Sequence, residues 1–292
     1  MQPRRSTPER SVKIQHIAAA ATCVLLLAIA GPAAAMVQPL AASPPLAASP
    51  PLPTSPAFPA PVYFHTVKPG SKLPSGAQCA RWVLARPVRE NKGVNRRFNA
   101  ATGHRVGRHF FSGDKPQANG WIAPRIIGSF KGTTKEILRW AACKWGIDQN
   151  MVFAQAAVES WWRQTTRGDW ASSGCPPGHG PGVDGRPGLC PQSWGILQNR
   201  YPYEKTSWPG IAKSTAMNAD TAYAIWRACY VGYETWLNTV DRGRTYRAGD
   251  AWGCIGRWFA GRWHTPPAQQ YIAKVRQYLR EKIWTTKNFQ QP

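Results

Sequence analysis

Apolar positions along this chain change their spacing several times, and each change marks an element. Between residues 17 and 30 they run together almost without interruption. From 36 to 130 they are scattered among Pro, Gly and basic residues, with no helical period. From 133 onward they recur every three or four residues. Thr133-Thr134-Lys135-Glu136 has the spacing of a capping box. Ile137, Leu138, Trp140, Ala141 and Trp145 follow, and Gly146 suits a helix C-terminus. Asp148 is a good N-cap for a second helix, and the run from Met151 to Trp162 is apolar on almost every face, as in a helix buried inside a domain. Residues 219–240 place Ala222, Trp226, Cys229, Tyr233, Trp236 and Val240 at alternating steps of four and three, which predicts one amphipathic helix. This aromatic stripe reads as core before it reads as a ligand site. Asp250 can cap a shorter helix carrying Cys254, Ile255 and Trp258. Thr265, with Pro266 and Pro267 in the first turn, opens a last helix striped by Ile272, Val275, Leu279 and Ile283. The expectation is a mainly α domain over residues 131–285, with 286–292 as a tail.

The segments before that domain read differently. Residues 1–35 have the form of a secretory signal: Arg4, Arg5, Arg10 and Lys13, an apolar stretch from Ile17 to Ala30, and small residues at Ala33-Ala34-Ala35 for cleavage. That stretch is short for a membrane span, so no stable span is expected once it is removed. Residues 36–62 duplicate Leu40-Ala-Ala-Ser-Pro-Pro as Leu46-Ala-Ala-Ser-Pro-Pro, a composition that favours an extended, disordered linker over a packed core. Residues 63–130 are basic and Gly-rich, with Arg96, Arg97, His104, Arg105, Arg108 and His109 interleaved with Phe98, Phe110 and Phe111. A solvated connector is expected there, tied to the domain through Cys79, although binding to an anionic polymer fits the same residues.

Charge and cysteines narrow the compartment. Losing Arg4, Arg5, Arg10, Lys13 and Glu9 with the signal takes 37 basic and 14 acidic residues to 33 and 13, a net charge of +20. Such a field draws the protein to anionic polymers, and for an exported chain these are wall polymers or anionic lipid. No zinc-finger spacing, RNA-binding signature or phosphate-cradling Gly loop is present, so nucleic acid is not expected as a partner. Cys79, Cys143, Cys175, Cys190, Cys229 and Cys254 remain after export, an even number that reads as disulfides, with fifteen pairings open. Cys175 and Cys190, flanking one loop, are the first local pair to try. No Cys-x-x-Cys occurs and His179 is a lone His beside that loop, so neither a metal nor a cofactor is expected. A secreted, periplasmic or wall-associated monomer is the expectation.

Candidate chemistry centres on Glu159, the one carboxylate in the second helix, followed at once by Ser160, Trp161 and Trp162. Burial there would raise its pKa and keep it protonated near neutral pH, as a general acid requires. A frayed helix end with Glu159 in solvent fits the pattern too. Beyond it lies a long Gly/Pro loop, 174–188, whose Asp184 is a turn signal first and lacks the alternating acids of a calcium loop. Next comes Ser193-Trp194-Gly195-Ile196-Leu197-Gln198, in which Gly195 permits a close approach and Gln198 offers both donor and acceptor. Tyr201, Tyr203 and Trp208 supply flat faces of the kind that stack on sugars.

Gly146-Ile147-Asp148, a buried helix ending in Glu159-Ser160-aromatic, and then Ser193-x-Gly195-apolar-apolar-Gln198 resemble, in this order, the soluble lytic transglycosylases of glycoside hydrolase family 23. The resemblance covers residues 131–285 and implies a lysozyme-like fold. It makes Glu159 the catalytic acid/base and brings Ser193, Gly195 and Gln198 to the cleft. Trp258-Phe259-Ala260-Gly261 matches the family's aromatic-Asn-Ala-Gly motif with Trp258 for the family's Tyr and Phe259 for its Asn, and Tyr271-Ile-Ala-Lys-Val275 resembles its Tyr-Val-x-x-Val. Trp258, Tyr201 and Tyr271 are therefore expected to touch substrate.

Glycosidic cleavage commonly uses two carboxyl groups. Asp169 and Asp184, on loops near the motifs, are the candidates for a second; neither forms a recognisable acid–base pair with Glu159 in sequence, so a one-carboxylate mechanism fits better. The resemblance then implies a peptidoglycan lytic transglycosylase acting between N-acetylmuramic acid and N-acetylglucosamine. Two alternatives stay open: a hydrolytic lysozyme or chitinase in which Asp169 or Asp184 places water, and a non-catalytic wall-polysaccharide-binding protein.

Overall fold

The structure, a computed structural model, describes residues 63–113 and 115–290; the expected signal (1–35) and Pro/Ala-rich linker (36–62) lie outside the described residues. The chain is mainly helical. Its helices are α1 (Gly76–Leu84), α2 (Arg96–Asn99), α3 (Thr134–Trp145), α4 (Gln149–Ser160), α5 (Gly210–Lys213), α6 (Thr215–Tyr230), α7 (Ala251–Ala260), α8 (Pro266–Glu281) and α9 (Lys287–Gln290). Local chemistry sets several of their boundaries. Thr133 and Glu136 form a reciprocal capping box on α3, and Gly146 closes that helix in the left-handed region. Asp148 Oδ1 accepts from the backbone N–H of Asn150 at 2.9 Å and Met151 at 3.0 Å to open α4. Asp250 caps α7 through Gly253 N–H. Thr265 stands at the N-cap of α8 but makes no side-chain cap bond; the two prolines set that start.

α4 is the centre of the fold. Met151 to Ala157 are buried without exception, and the helix lies against α3 and α8. α6 packs on the other side of α3 and meets α7. One buried polar anchor joins these layers. Asp220 on α6 accepts from Lys144 Nζ at 2.6 Å, from Trp145 Nε1 at 2.8 Å and from the N–H groups of Ile127 and Gly128 at 2.9 Å each. Every acceptor bond of this carboxylate is charge-assisted and dry, the condition in which removing one partner is costly.

Three expectations change. Residues 63–130 are not a solvated connector. Phe64, Leu73, Val83, Val106, Ile122 and Ile126 are all buried in the same core as α3 and α4, each adding on the order of 1.5–3 kcal/mol of apolar burial. Backbone bonds Val67 N–H to Gly146 O and Gln149 N–H to Phe64 O bind the segment along the α3–α4 junction. The segment carries α1, which is bridged to α3 by Cys79–Cys143. The helix expected over 219–240 occupies Thr215–Tyr230 instead. Gly232, at φ +96°, and the bond from Tyr233 N–H to Ala228 O close the helix, so Tyr233, Trp236 and Val240 fall beyond it. Residues 286–290 of the expected tail are also folded: α9 buries Phe289 between Trp161 and Trp162.

A small antiparallel sheet was not expected. β1 (Arg167–Ala171) pairs with β2 (Cys190–Trp194), which pairs with β3 (Asn199–Arg200). The Gly/Pro loop is the connection of the β1–β2 hairpin, stapled by Cys175–Cys190 as its flanking positions indicate. Cys229–Cys254 joins α6 to α7.

Candidate active site

Glu159 sits in the last turn of α4, and the chain then turns sharply. Trp161 and Trp162 both adopt left-handed backbone, at φ 57° and 60°, a conformation costing about 1 kcal/mol or more for a residue with a Cβ. Trp162 holds the turn: it is fully buried and its indole N–H donates to Phe153 O at 2.9 Å. Ser160 points the other way, and its hydroxyl donates to Ile196 O at 2.8 Å. The Glu159-Ser160 pair and the Ser193–Gln198 segment are thus in direct contact.

That segment is held by two buried amides. Gln164 Oε1 accepts from Ile196 N–H at 3.1 Å, while Asn218 Oδ1 accepts from Leu197 N–H at 2.9 Å and its Nδ2 donates to Trp194 O. Gly195 is needed between them. At φ +80°, an added Cβ would lie 2.3 Å from Asn218 Nδ2 and 2.6 Å from Gln164 Nε2. The close approach expected at this glycine is therefore made by the protein's own amides. Gln198 is likewise engaged: its Nε2 donates to Gly195 O at 2.8 Å and Thr166 O at 3.2 Å, fastening the turn to the start of β1.

Around the Glu159 carboxyl the chain assembles residues from five elements. The Tyr271 hydroxyl, from α8, donates to Oε1. Trp258, in the last turn of α7, lies close enough for its indole to favour the charged form of the same carboxyl. Asp169 on β1 adds a negative charge within electrostatic reach. Gln155, one helical turn before Glu159 on the same face, meets the Tyr271 hydroxyl, and Tyr223 of α6 lies behind, donating to Val152 O at 3.2 Å. Glu159 is half-buried as a residue, with its carboxyl turned into this ring. Burial pushes its pKa from 4.5 to about 7; the Tyr271 bond opposes the rise, the Asp169 charge adds to it, and Trp258 opposes it. Burial first, and the Glu159 charge second, push the Tyr271 hydroxyl well above its ordinary value, so it stays a donor.

The other expected residues separate by position. Asp169 is exposed and takes a bond from the Ser193 hydroxyl, with Arg200 Nε 3.7 Å away. Asp184 is committed elsewhere: Arg167 Nη1 lies 2.6 Å from its Oδ1, His179 bonds it at 3.0 Å, and its side chain is buried. It fastens the hairpin loop and is not placed as a second carboxylate. Tyr201 belongs to an aromatic cluster with Trp208, Trp194 and His179. A second raised acid, Glu204, is pushed to about 8 by burial against the opposing charge of Arg257, and has no bond to Glu159. Hollows of about 580 and 860 Å³ lie along residues 238–252. The acid of the larger hollow, Asp250, is buried enough to rise, but Gly253 N–H, His264 and Arg244 bring it below the usual carboxylate range. A raised acid with its own donors is found at Glu159 and not there. Among the described residues no group of His, Cys, Asp and Glu is placed to hold a metal ion.

Gln155, Gln164, Asn218 and Tyr223 did not stand out in the sequence. Only Gln155 carried a usable signal, as the lone polar side chain between Met151 and Val158 and four residues before Glu159. Set against family models, curated proteins and solved structures, the chain matches none.

Proposed function

We propose that this is an exported peptidoglycan-cleaving enzyme, a lytic transglycosylase on a lysozyme-like helical domain, with Glu159 as its acid and then its base. The observation that carries this reading is the Glu159 carboxyl itself, held at about 7 with the Tyr271 hydroxyl donating to it and, among the described residues, no second carboxyl bonded to it. A pKa near the working pH makes one group effective in both directions of proton transfer. Protonated Glu159 gives its proton to the oxygen leaving between N-acetylmuramic acid and N-acetylglucosamine, and the C1–O bond breaks. The acetamido oxygen of the muramyl residue stabilises the cation at C1. The carboxylate, now held by Tyr271, takes the proton of the muramyl 6-hydroxyl as that oxygen closes on C1, giving a 1,6-anhydro end and restoring the acid. Three disulfides fit an oxidising compartment. No helix among the described residues is long and apolar enough to cross a membrane.

One observation favours a second reading. Asp169 is exposed, oriented by Ser193, and electrostatically coupled to Glu159, so it can seat a water and make the enzyme a hydrolase. Mass spectrometry of digested peptidoglycan separates the two. Anhydro ends, each lighter by one water than the hydrolytic product and lost in Glu159→Gln, support the transglycosylase; water-addition products alone sink it. If wild type and Glu159→Gln bind wall equally and neither releases muropeptides, the protein is a wall-binding module.

A further inference from the structure

We propose that Phe259 is a stacking platform for a saccharide ring beside Glu159, selective for β-linked hexosamines whose ring substituents are all equatorial. The inference rests on the reading of the Glu159 cleft as a glycan site. Phe259 lies in the last turn of α7 next to Trp258 and is 60% exposed, an unusual position for a large apolar ring in a chain that buries most of its aromatics. It is not loosely placed. Its ring lies parallel to that of Tyr271, at an interplanar angle of 3° and a centroid separation of 4.8 Å. Tyr271 in turn is buried and fixed by its hydroxyl on Glu159. One face of Phe259 is therefore taken up by Tyr271 and the other is free, and the ring is held in register with the acid through one intervening side chain.

The packing beneath makes that register rigid. α7 and α8 approach closely at Gly256, where a Cβ would lie 2.8 Å from Ile272 Cδ1 and 3.1 Å from Ala268 Cβ. Cys229–Cys254 fixes the same helix to α6. A free, oriented, uncharged aromatic face recognises an apolar surface with mildly positive C–H edges. Among sugars, an all-equatorial pyranose presents that on each face, because its hydroxyl and acetamido groups point outward and its axial hydrogens point up and down. An axial hydroxyl at C4 interrupts one such face. Phe259 thus contributes binding and selection, while proton transfer stays with Glu159.

The test uses the mature chain carrying Glu159→Gln, which prevents turnover. Calorimetry measures the Kd of β-1,4-linked N-acetylglucosamine tetramer for this protein and for the same protein with Phe259→Ala or Phe259→Trp. Phe259→Ala is expected to weaken binding about tenfold, in line with the worth of one aromatic stacking contact, and Phe259→Trp to keep it. The N-acetylgalactosamine tetramer, with its axial C4 oxygens, is expected to bind weakly to the Phe259 and Phe259→Trp proteins and to lose little more with Phe259→Ala, so that the preference between the two tetramers shrinks when the ring is removed. Equal Kd values with and without the Phe259→Ala change, at unchanged thermal unfolding, overturn the platform, as does an equal loss for both tetramers. Muropeptide release by the Glu159 protein is scored separately. Cleavage with no Phe259 effect removes this inference alone; a Phe259 effect without cleavage removes the enzymatic reading and leaves a glycan-binding platform.

Discussion

Replacing Glu159 by Gln should make the protein more stable, and only at neutral to alkaline pH. The carboxyl titrates at about 7 in the folded protein against an ordinary 4.5. An acid raised in the folded state contributes its full stability below the unfolded value and loses it as pH climbs through the folded value. The difference amounts to roughly 3 kcal/mol at about 1.4 kcal/mol for each tenfold change in proton affinity. Glu159 is half-buried, and water reaching the cleft screens part of this, leaving about 1–3 kcal/mol. Gln keeps the shape, accepts from Tyr271, and never ionises. Glu159→Gln should therefore match wild type at about pH 4 and gain about 2–12 °C in Tm at about pH 8.5, at roughly 2–4 °C per kcal/mol for a chain of this size. Scanning calorimetry across that range gives the shift, and urea titration at the two ends gives the free energies. Glu204, pushed to about 8, titrates in both proteins and cancels in the difference. A pH-independent offset, or a Glu159→Gln protein less stable at pH 8.5, would refute the burial argument and with it the assignment of Glu159 as a desolvated acid.

Two further outcomes follow from the same geometry. Tyr271→Phe removes a donor that favours the ionised carboxylate, so the alkaline limb of kcat/KM against pH should move upward from about 7 by about one to two pH units, the worth of a hydrogen bond to a charged group; an unmoved limb counts against the contact. Gly195→Ala places a Cβ on Asn218 and Gln164 in a left-handed backbone and should cost about 2–4 kcal/mol in urea unfolding; a loss below about 0.5 kcal/mol would mean that the Ser193–Gln198 turn is not held as described.

How much of this was legible depends on whether the determinant is local. The caps Thr133, Asp148 and Asp250 act within three residues of themselves, and each opens a helix where the sequence places it. The buried character of α4 follows from its composition alone. Much of residues 63–130 was hidden because apolar residues such as Phe64, Val106 and Ile122 join the core singly, although α1 did carry a local signal in the Ser75–Gln78 capping box with Cys79 and Val83 one turn apart. β2 was hidden for a related reason: all five of its residues are buried, so it has no alternation to read, and Pro191 argues against a central strand. At the site, Glu159 could be found from its helix. Its contact with Tyr271 spans 112 residues and depends on how α7 and α8 pack. Gln164 and Asn218 are ordinary amides until the fold places Gly195 between them.

The position of Glu159 within its helix has one more effect. It is the penultimate residue of α4, where backbone carbonyls run out of N–H partners and the aligned peptide dipoles leave about half a negative charge. A carboxylate formed there faces that negative pole, a penalty of about 0.3–1 kcal/mol, additional to burial. On the proposed mechanism the helix would therefore favour the return of the proton after each transfer, as a spring that resets the acid. The same side chain at the opposite end of a helix would be held ionised, and would have no proton to give at neutral pH.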